Sequence, residues 1–221
     1  MLILAIDTSW KQGSVALARG DARGFELIEI APVAGGTFSA QLIPEISALL
    51  ARHKIGKEEI EGLGAASGPG SFTGLRVGLA AVKALAEVLK KPIAAVSVLE
   101  ALAVASGAAG RVIAVLDAGR AEAYVGEYQV GDGSATQVRE SLVDQDELPV
   151  LVKGPGETTV VTPDEALAEL LGARLVLRPQ SDAIALLAIR KILAGETVAP
   201  EELDANYIRR SDAEIFAKPR P

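Results

Sequence analysis

A glycine-rich segment from Gly68 to Gly74, with the sequence GPGSFTG, is the most specific chemical feature of the chain. It stands between a predicted strand and a predicted helix. Its glycines, among them Gly70, permit positive φ and a close approach of the backbone, so several N–H groups could face a phosphate near the helix N-terminus. The segment lacks the Lys-Ser/Thr pair of a Walker A loop. The simpler alternative is a tight turn in which Ser71 or Thr73 caps the helix.

Asp7, Thr8 and Ser9 follow a short apolar run and form a second candidate site. Their carboxylate and hydroxyls could hold a phosphate or a metal-bound water, although an Asx-type turn would explain them equally well. The surrounding residues 4–18 are echoed by residues 113–128, where Asp117 takes the place of Asp7. This similarity suggests an internal duplication, unless it only reflects two apolar strands that each end in aspartate.

The elements that must position these residues can be predicted from hydropathy patterns and turn signals. We predict strands over residues 2–6, 13–18, 25–30, 62–67 and 93–96, and helices over 38–53, 75–90, 99–106, 164–171 and 182–194. This order favours an α/β fold with a mixed sheet flanked by helices. The small, uncharged stretch Gly107 to Gly110 predicts a hinge between two units, residues 1–106 and 107–221.

Composition excludes several functional classes. The 221 residues are 49% hydrophobic with mean hydropathy +0.30, which is typical of a compact globular protein. The absence of cysteine excludes disulfides, thiolate metal sites and thiol catalysis. His53 is the only histidine, so we expect no metal site. The net charge of −7 disfavours independent nucleic-acid binding, and the absence of a signal peptide or long apolar run predicts a cytoplasmic protein without membrane contact.

The helix predicted over residues 75–90 has apolar side chains on nearly every face. Such a helix is covered on two sides, either by the helix over residues 38–53 or by a partner chain. In the second case, the two helices would share one apolar interface used both for self-association and for a partner. We expect that interface to contain Phe38, Leu42, Ile46, Leu49, Arg76, Val77, Ala80, Ala81 and Ala84.

Four segments together resemble the bacterial TsaB (YeaZ) family. They are AIDTS at residues 5–9, ASGPGSFTGLRVGL at 66–79, the D-A-x-x-x-E-x-Y spacing from Asp117 to Tyr124, and the tail Asn206 to Arg209. The resemblance implies a two-lobed actin/Hsp70/sugar-kinase-like (ASKHA) fold, with mixed sheets flanked by helices and a second lobe that is smaller and degenerate. One departure is Phe38, where relatives often carry histidine, and it would favour a drier contact.

The resemblance also implies a function. Proteins of this family act as a non-catalytic, dimerising scaffold for a catalytic TsaD subunit that makes threonylcarbamoyl-adenosine in tRNA, together with a small TsaE ATPase. The chain alone would then bind no cofactor and form a homodimer, ATP would be used by the assembled complex, and tRNA would be contacted only through that complex. The alternative is a small-molecule kinase or ATPase of the same superfamily that uses Asp7 and the glycine-rich segment. A metallopeptidase is disfavoured because the chain has no H-x-x-x-H pair.

Overall fold

Two five-stranded sheets form the framework of the chain, for which a computed structural model describes residues 1–153, 157–206 and 208. The first sheet contains β1 (Leu2–Asp7), β2 (Gly13–Gly20), β3 (Phe25–Val33), β4 (Gly62–Gly68) and β5 (Ile93–Ser97). The strand order is β3-β2-β1-β4-β5, with β1 antiparallel to β2 and parallel to β4. It is therefore the mixed sheet that the sequence predicted.

The second sheet repeats this topology. It contains β6 (Gly110–Gly119), β7 (Glu122–Gly131), β8 (Ser134–Asp144), β9 (Thr158–Thr162) and β10 (Arg174–Leu175). The order β8-β7-β6-β9-β10 and the sense of every pairing match those of the first sheet. Asp7 and Asp117 lie at equivalent places near the ends of β1 and β6, so the internal duplication is confirmed. The second copy is the degenerate one, since β10 has only two residues.

Six helices accompany the strands in the described part of the chain. They are α1 (Phe38–Arg52), α2 (Phe72–Leu89), α3 (Val98–Ala105), α4 (Leu148–Leu151), α5 (Glu165–Leu171) and α6 (Ser181–Leu193). The helix α2 begins three residues before its predicted start, because Ser71 Oγ accepts a hydrogen bond from Gly74 N at 3.3 Å and caps it. The capping role expected of Ser71 or Thr73 therefore belongs to Ser71.

The alternating side chains of β1 separate two hydrophobic cores. Leu2, Leu4 and Ile6 face α1 and α2, whereas Ile3 and Ala5 face α6 on the opposite side of the sheet. The helices α3 and α6 lie between the two sheets: α3 packs against β6 and β7, and α6 packs against β1, β2 and β4. Each helix thus contacts the sheet of the other repeat, and one core runs through both halves. The division into units 1–106 and 107–221 stays a prediction.

Helix length and hydropathy show whether a helix could cross a membrane. No helix in the described ranges is long and apolar enough to cross a membrane.

Candidate functional site

The turn after β1 is buried, and a hydrogen bond within the turn stabilises it. Asp7, Thr8 and Ser9 are all buried, and Asp7 Oδ1 accepts a hydrogen bond from Ser9 N at 2.8 Å. This is the Asx-type turn that the sequence offered as one alternative. Burial raises the pKa of the Asp7 carboxyl, while the hydrogen bonds from Ser9 and the charge of Arg178 act in the opposite direction.

The glycine-rich loop packs directly onto this turn. Ser71 N donates to the carbonyl oxygen of Ser9 at 2.7 Å, and Thr8 Oγ1 donates to the carbonyl oxygen of Gly74 at 2.8 Å. A Cβ on Gly70 would lie 2.2 Å from Ser9 O, and one on Gly74 would lie 2.0 Å from Thr8 O. The structure therefore brings the two predicted phosphate-facing features into direct contact with each other. Gly70 and Gly74 allow the backbone of the loop to pack closely on the backbone of the turn.

The remaining loop residues differ in exposure. Gly68 has φ +114°, a backbone conformation that favours glycine, and it lies beside the carbonyl oxygen of Asn206. Thr73 is exposed on the first turn of α2.

A cation that the sequence did not reveal lies beside this turn. Arg178, in the segment before α6, stacks on Trp10 with its Cζ 3.8 Å from the ring centre. Its charge acts on the buried Asp7, and burial lowers the pKa of the Arg178 guanidinium. Arg178 is therefore a cationic neighbour of Asp7. No local sequence pattern indicates it, because Arg178 comes from the distant segment before α6.

The cleft that contains Asp7 and Arg178 is small. It has a volume of about 190 Å³ and is lined by Asp7, Trp10, Gln12, Ser14, Arg178, Pro179 and Gln180. Sites for small molecules usually enclose about 300–1,000 Å³. The cleft is smaller than this range, and the ring of Trp10 and the side chain of Arg178 are among the groups that line it.

Asp117 occupies the corresponding place in the second repeat but has a different environment. It is exposed, and its Oδ1 accepts hydrogen bonds from Gly119 N at 3.0 Å and Gln145 Nε2 at 3.1 Å. It therefore closes a surface turn.

A groove lies between α1 and α2, and we call it the helical groove. It has a volume of about 570 Å³ and is lined by Phe38, Ser39, Leu42, Ile43, Phe72, Thr73, Arg76, Val77, Ala80, Ala81 and Ala84. Ala80 and Ala84 are exposed, and Val77 and Ala81 are half-buried. The guanidinium of Arg76 lies 3.7 Å from the centre of the Phe72 ring at the edge of the groove. The α2 part of the predicted interface is thus open to contact.

The α1 part of that prediction requires correction. Ile46 and Leu49 are only 4% and 0% exposed because they pack into the core between α1 and the first sheet. Phe38 and Leu42 are also buried, at 8% and 1%, although they still form the floor of the helical groove. Ile46 and Leu49, which we expected in the interface, are therefore core residues of the first repeat. Helical spacing marks a buried face, but it does not tell a core from an interface.

His53 is engaged at the end of α1. Its Nε2 lies 2.6 Å from Glu29 Oε2, and the neighbouring Arg52 Nη2 donates to Glu29 Oε1 at 2.7 Å. Both interactions hold the pKa of the Glu29 carboxyl below its usual value, the contact with Arg52 more strongly. Within residues 1–153, 157–206 and 208, no three His, Cys, Asp or Glu side chains are grouped as metal ligands.

A polar cluster connects Asn206 to both repeats. Glu140 accepts hydrogen bonds from Ser97 Oγ at 2.5 Å, from the hydroxyl of Tyr128 and from Nδ2 of Asn206. Burial and the Glu140 charge raise the pKa of Tyr128 far above its usual value. Asn206 N also donates to Ser67 O at 2.7 Å. Of the tail segment noted in the sequence, Tyr207 and Arg209 lie outside the described residues.

The duplicated sheets, the interleaved helices and the aspartate turns define a protein with the α/β fold of the actin/Hsp70/sugar-kinase class. Residues 31–159 match the family described as TsaD, tRNA N6-adenosine threonylcarbamoyltransferase. The chain is 31% identical to the tRNA threonylcarbamoyladenosine biosynthesis protein TsaB of Escherichia coli. The alignment has 232 positions and covers 96% of each chain. The TsaB protein of Bacillus subtilis is 37% identical over 140 residues, which span 62% of this chain and 59% of that protein.

A solved structure agrees with these sequence matches. The structure of YeaZ from Pseudomonas aeruginosa superposes with a TM-score of 0.74 at 27% identity, over 93% of this chain and all of that one. The chain belongs to the TsaB (YeaZ) family, and its role lies in tRNA threonylcarbamoyladenosine biosynthesis.

Proposed function

We propose that the chain is a non-catalytic subunit that binds a TsaD-like catalytic protein through the helical groove. The observation that carries this proposal is the open α2 wall of the groove, formed by Ala80, Ala81 and Ala84 above an apolar floor. Small side chains allow a partner helix to approach closely, because interaxial distance depends on the residues at the contact. An exposed apolar groove of this kind is typical of a protein–protein interface.

The family match suggests why a TsaD-like protein would fit this groove. Both α1 and α2 lie within residues 31–159, the part of the chain that matches the TsaD family. A TsaD-like protein therefore carries counterparts of both helices. Two related proteins can pair about a pseudo-two-fold axis through the same patch, as identical copies do in an isologous dimer. The isolated chain would use the same groove to form a homodimer, so the two contacts compete.

The energetics allow exchange between these partners. A standard interface buries about 800 Å² on each partner. At about 25 cal/mol per Å² of apolar surface, the gross gain is on the order of 20 kcal/mol over both partners. Loss of translational and rotational freedom costs about 4–15 kcal/mol, and side-chain ordering and desolvation of polar groups cost more, so only a small part of the gross gain remains as affinity.

Several observations support a role without chemistry. His53 is occupied by Glu29, Asp7 is buried in its own turn, and the cleft beside Arg178 is smaller than a nucleotide site. The net charge of −7 favours tRNA contact through the complex, since tRNA is a polyanion. A TsaE-like ATPase would complete the complex, with ATP used by the assembly.

The test is the affinity for a TsaD-like protein from the same organism, measured by calorimetry. Ala84→Glu places a charge on the exposed wall of the groove, and Ala81→Glu places one deeper. Each should raise Kd at least about tenfold, because burying an unpaired charge costs more than the 1.4 kcal/mol of one decade. Ala48→Glu is the matched control, because Ala48 is exposed on α1 and does not line the groove. Wild-type affinity in both groove variants would overturn the proposal.

A further inference from the structure

The C-terminal part of the described chain returns to the first sheet. Asn206 N donates a hydrogen bond to Ser67 O at 2.7 Å, at the end of β4. Two preceding residues, Leu203 and Ala205, are buried in the same hydrophobic core as Leu42, which forms part of the floor of the helical groove. This part of the chain therefore contributes to the core beneath the groove.

Asn206 lies where the glycine-rich loop leaves β4. A Cβ on Gly68 would stand 3.2 Å from Asn206 O and 3.1 Å from Leu75 Cδ1, so Gly68 lies between Asn206 and α2. The loop leads directly into Phe72 and Thr73, which line the helical groove. The place of Asn206 therefore affects where one end of the groove begins.

The side chain of Asn206 is held by the second repeat. Its Nδ2 donates a hydrogen bond to Oε2 of Glu140 on β8, and we call this hydrogen bond the latch. The other oxygen of the carboxylate accepts hydrogen bonds from Ser97 Oγ at 2.5 Å and from the hydroxyl of Tyr128. Hydrogen bonds to an ionised acceptor are stronger than those between neutral groups. Ser97 and Tyr128 therefore fix the orientation in which Glu140 receives Asn206.

We propose that the latch positions the glycine-rich loop and the first turn of α2 for partner binding, with Glu140 as a positioning residue contributed by the second repeat. A groove that is already ordered costs a partner less conformational entropy on binding. If the latch opens, only the molecules in which it is closed bind at full affinity, so the apparent Kd rises by the reciprocal of the closed fraction. The effect on the partner rests on the function proposed above, whereas the latch itself does not.

Hydrogen exchange of the full chain tests the latch without any partner. Asn206→Asp removes the donor and places a second carboxylate against Glu140, so repulsion between like charges should open the latch. Amides of residues 68–76 should then exchange at least about tenfold faster, while those of β6 keep their wild-type rates. Gln137→Glu adds the same charge at an exposed position on β8. It is the matched control and should leave both regions unchanged.

A compensating substitution distinguishes the latch from a general loss of stability. In Asn206→Asp combined with Glu140→Gln, the amide Oε1 can still accept from Ser97 and Tyr128, and Nε2 can donate to the new carboxylate. The double variant should therefore return the exchange of residues 68–76 close to wild-type rates. Unchanged exchange in Asn206→Asp, equally faster exchange in both sheets, or no recovery in the double variant would overturn the proposal.

Calorimetry with the TsaD-like protein tests the positioning role. Asn206→Asp should raise Kd about tenfold if about one molecule in ten keeps the groove in its binding conformation, and adding Glu140→Gln should restore the wild-type Kd. A wild-type Kd in Asn206→Asp, when Ala84→Glu weakens binding, would overturn the positioning role. A wild-type Kd in both Ala84→Glu and Ala81→Glu would instead overturn the function proposed above, and the exchange rates would still decide whether the latch holds the loop.

Discussion

The contact between Gly74 and Thr8 offers a direct test of how the glycine-rich loop is used. In Gly74→Ala, the new Cβ would lie 2.0 Å from the carbonyl oxygen of Thr8 and 3.3 Å from Cε2 of Phe38. The oxygen belongs to the backbone and cannot rotate away. Either α2 or the turn after β1 must therefore move by about 1 Å to restore an ordinary contact distance.

The loss of stability expected for Gly74→Ala combines two destabilising contributions and one stabilising contribution. Overpacking costs about 1–3 kcal/mol, and displacement also disrupts the bond from Thr8 Oγ1 to Gly74 O, worth about 1 kcal/mol. Alanine gains back about 1 kcal/mol over glycine within a helix. We expect the free energy of unfolding to fall by about 2 kcal/mol, which lowers Tm by about 4–8 °C for a chain of this size.

Urea denaturation followed by circular dichroism measures this difference. Gly24→Ala is the control, because no atom lies within 4 Å of its Cβ position and its φ is not in the left-handed region. It should change the free energy of unfolding by less than about 0.5 kcal/mol. If Gly74→Ala is as stable as Gly24→Ala, the close contact is not what requires glycine, and the phosphate-facing interpretation of the loop returns.

Three further substitutions test the core, the buried turn and the polar cluster. Leu49→Ala should destabilise the isolated protein by about 2–5 kcal/mol in urea, whereas a loss below about 1 kcal/mol would contradict its place in the core. The raised pKa of Asp7 means that the folded state binds its proton more tightly, so ionisation lowers stability as pH rises above the ordinary carboxyl pKa of about 3.9. Asp7→Asn should therefore gain stability relative to wild type as pH rises, and a difference independent of pH would refute this. Tyr128→Phe should cost about 1–3 kcal/mol by removing a donor from Glu140, and an unchanged urea midpoint would count against that bond.

The fold was largely predictable because the strands of the first repeat are clear apolar runs and its two long helices are bounded by recognisable turn residues. The second repeat was harder. Strand β8 has few buried positions along Ser134–Asp144, so it shows no apolar alternation and is held by its pairing with β7. Strand β10 is too short for any pattern.

The geometry of the candidate sites depends on tertiary packing, which local sequence patterns do not predict. A glycine-rich loop that cradles phosphate and one that packs on a neighbouring turn require the same glycines, and only the distances from Gly70 and Gly74 to the turn distinguish them. The position of Arg178 beside Asp7 depends on long-range packing that no local pattern records. Burial of Ile46 and Leu49 is likewise a tertiary property.

The proposed function requires that the chain contributes a binding surface and no chemistry. The most direct measurement is threonylcarbamoyl-adenosine formation by a reconstituted complex, followed as the concentration of this chain is varied. Asp7→Asn and Ala48→Glu should reach the wild-type maximal rate at the wild-type half-saturating concentration. Ala84→Glu should reach the same maximal rate only at a concentration about tenfold higher or more, because it weakens binding alone. A reduced maximal rate in Asp7→Asn at unchanged half-saturation would contradict the account, since it would place chemistry in this chain.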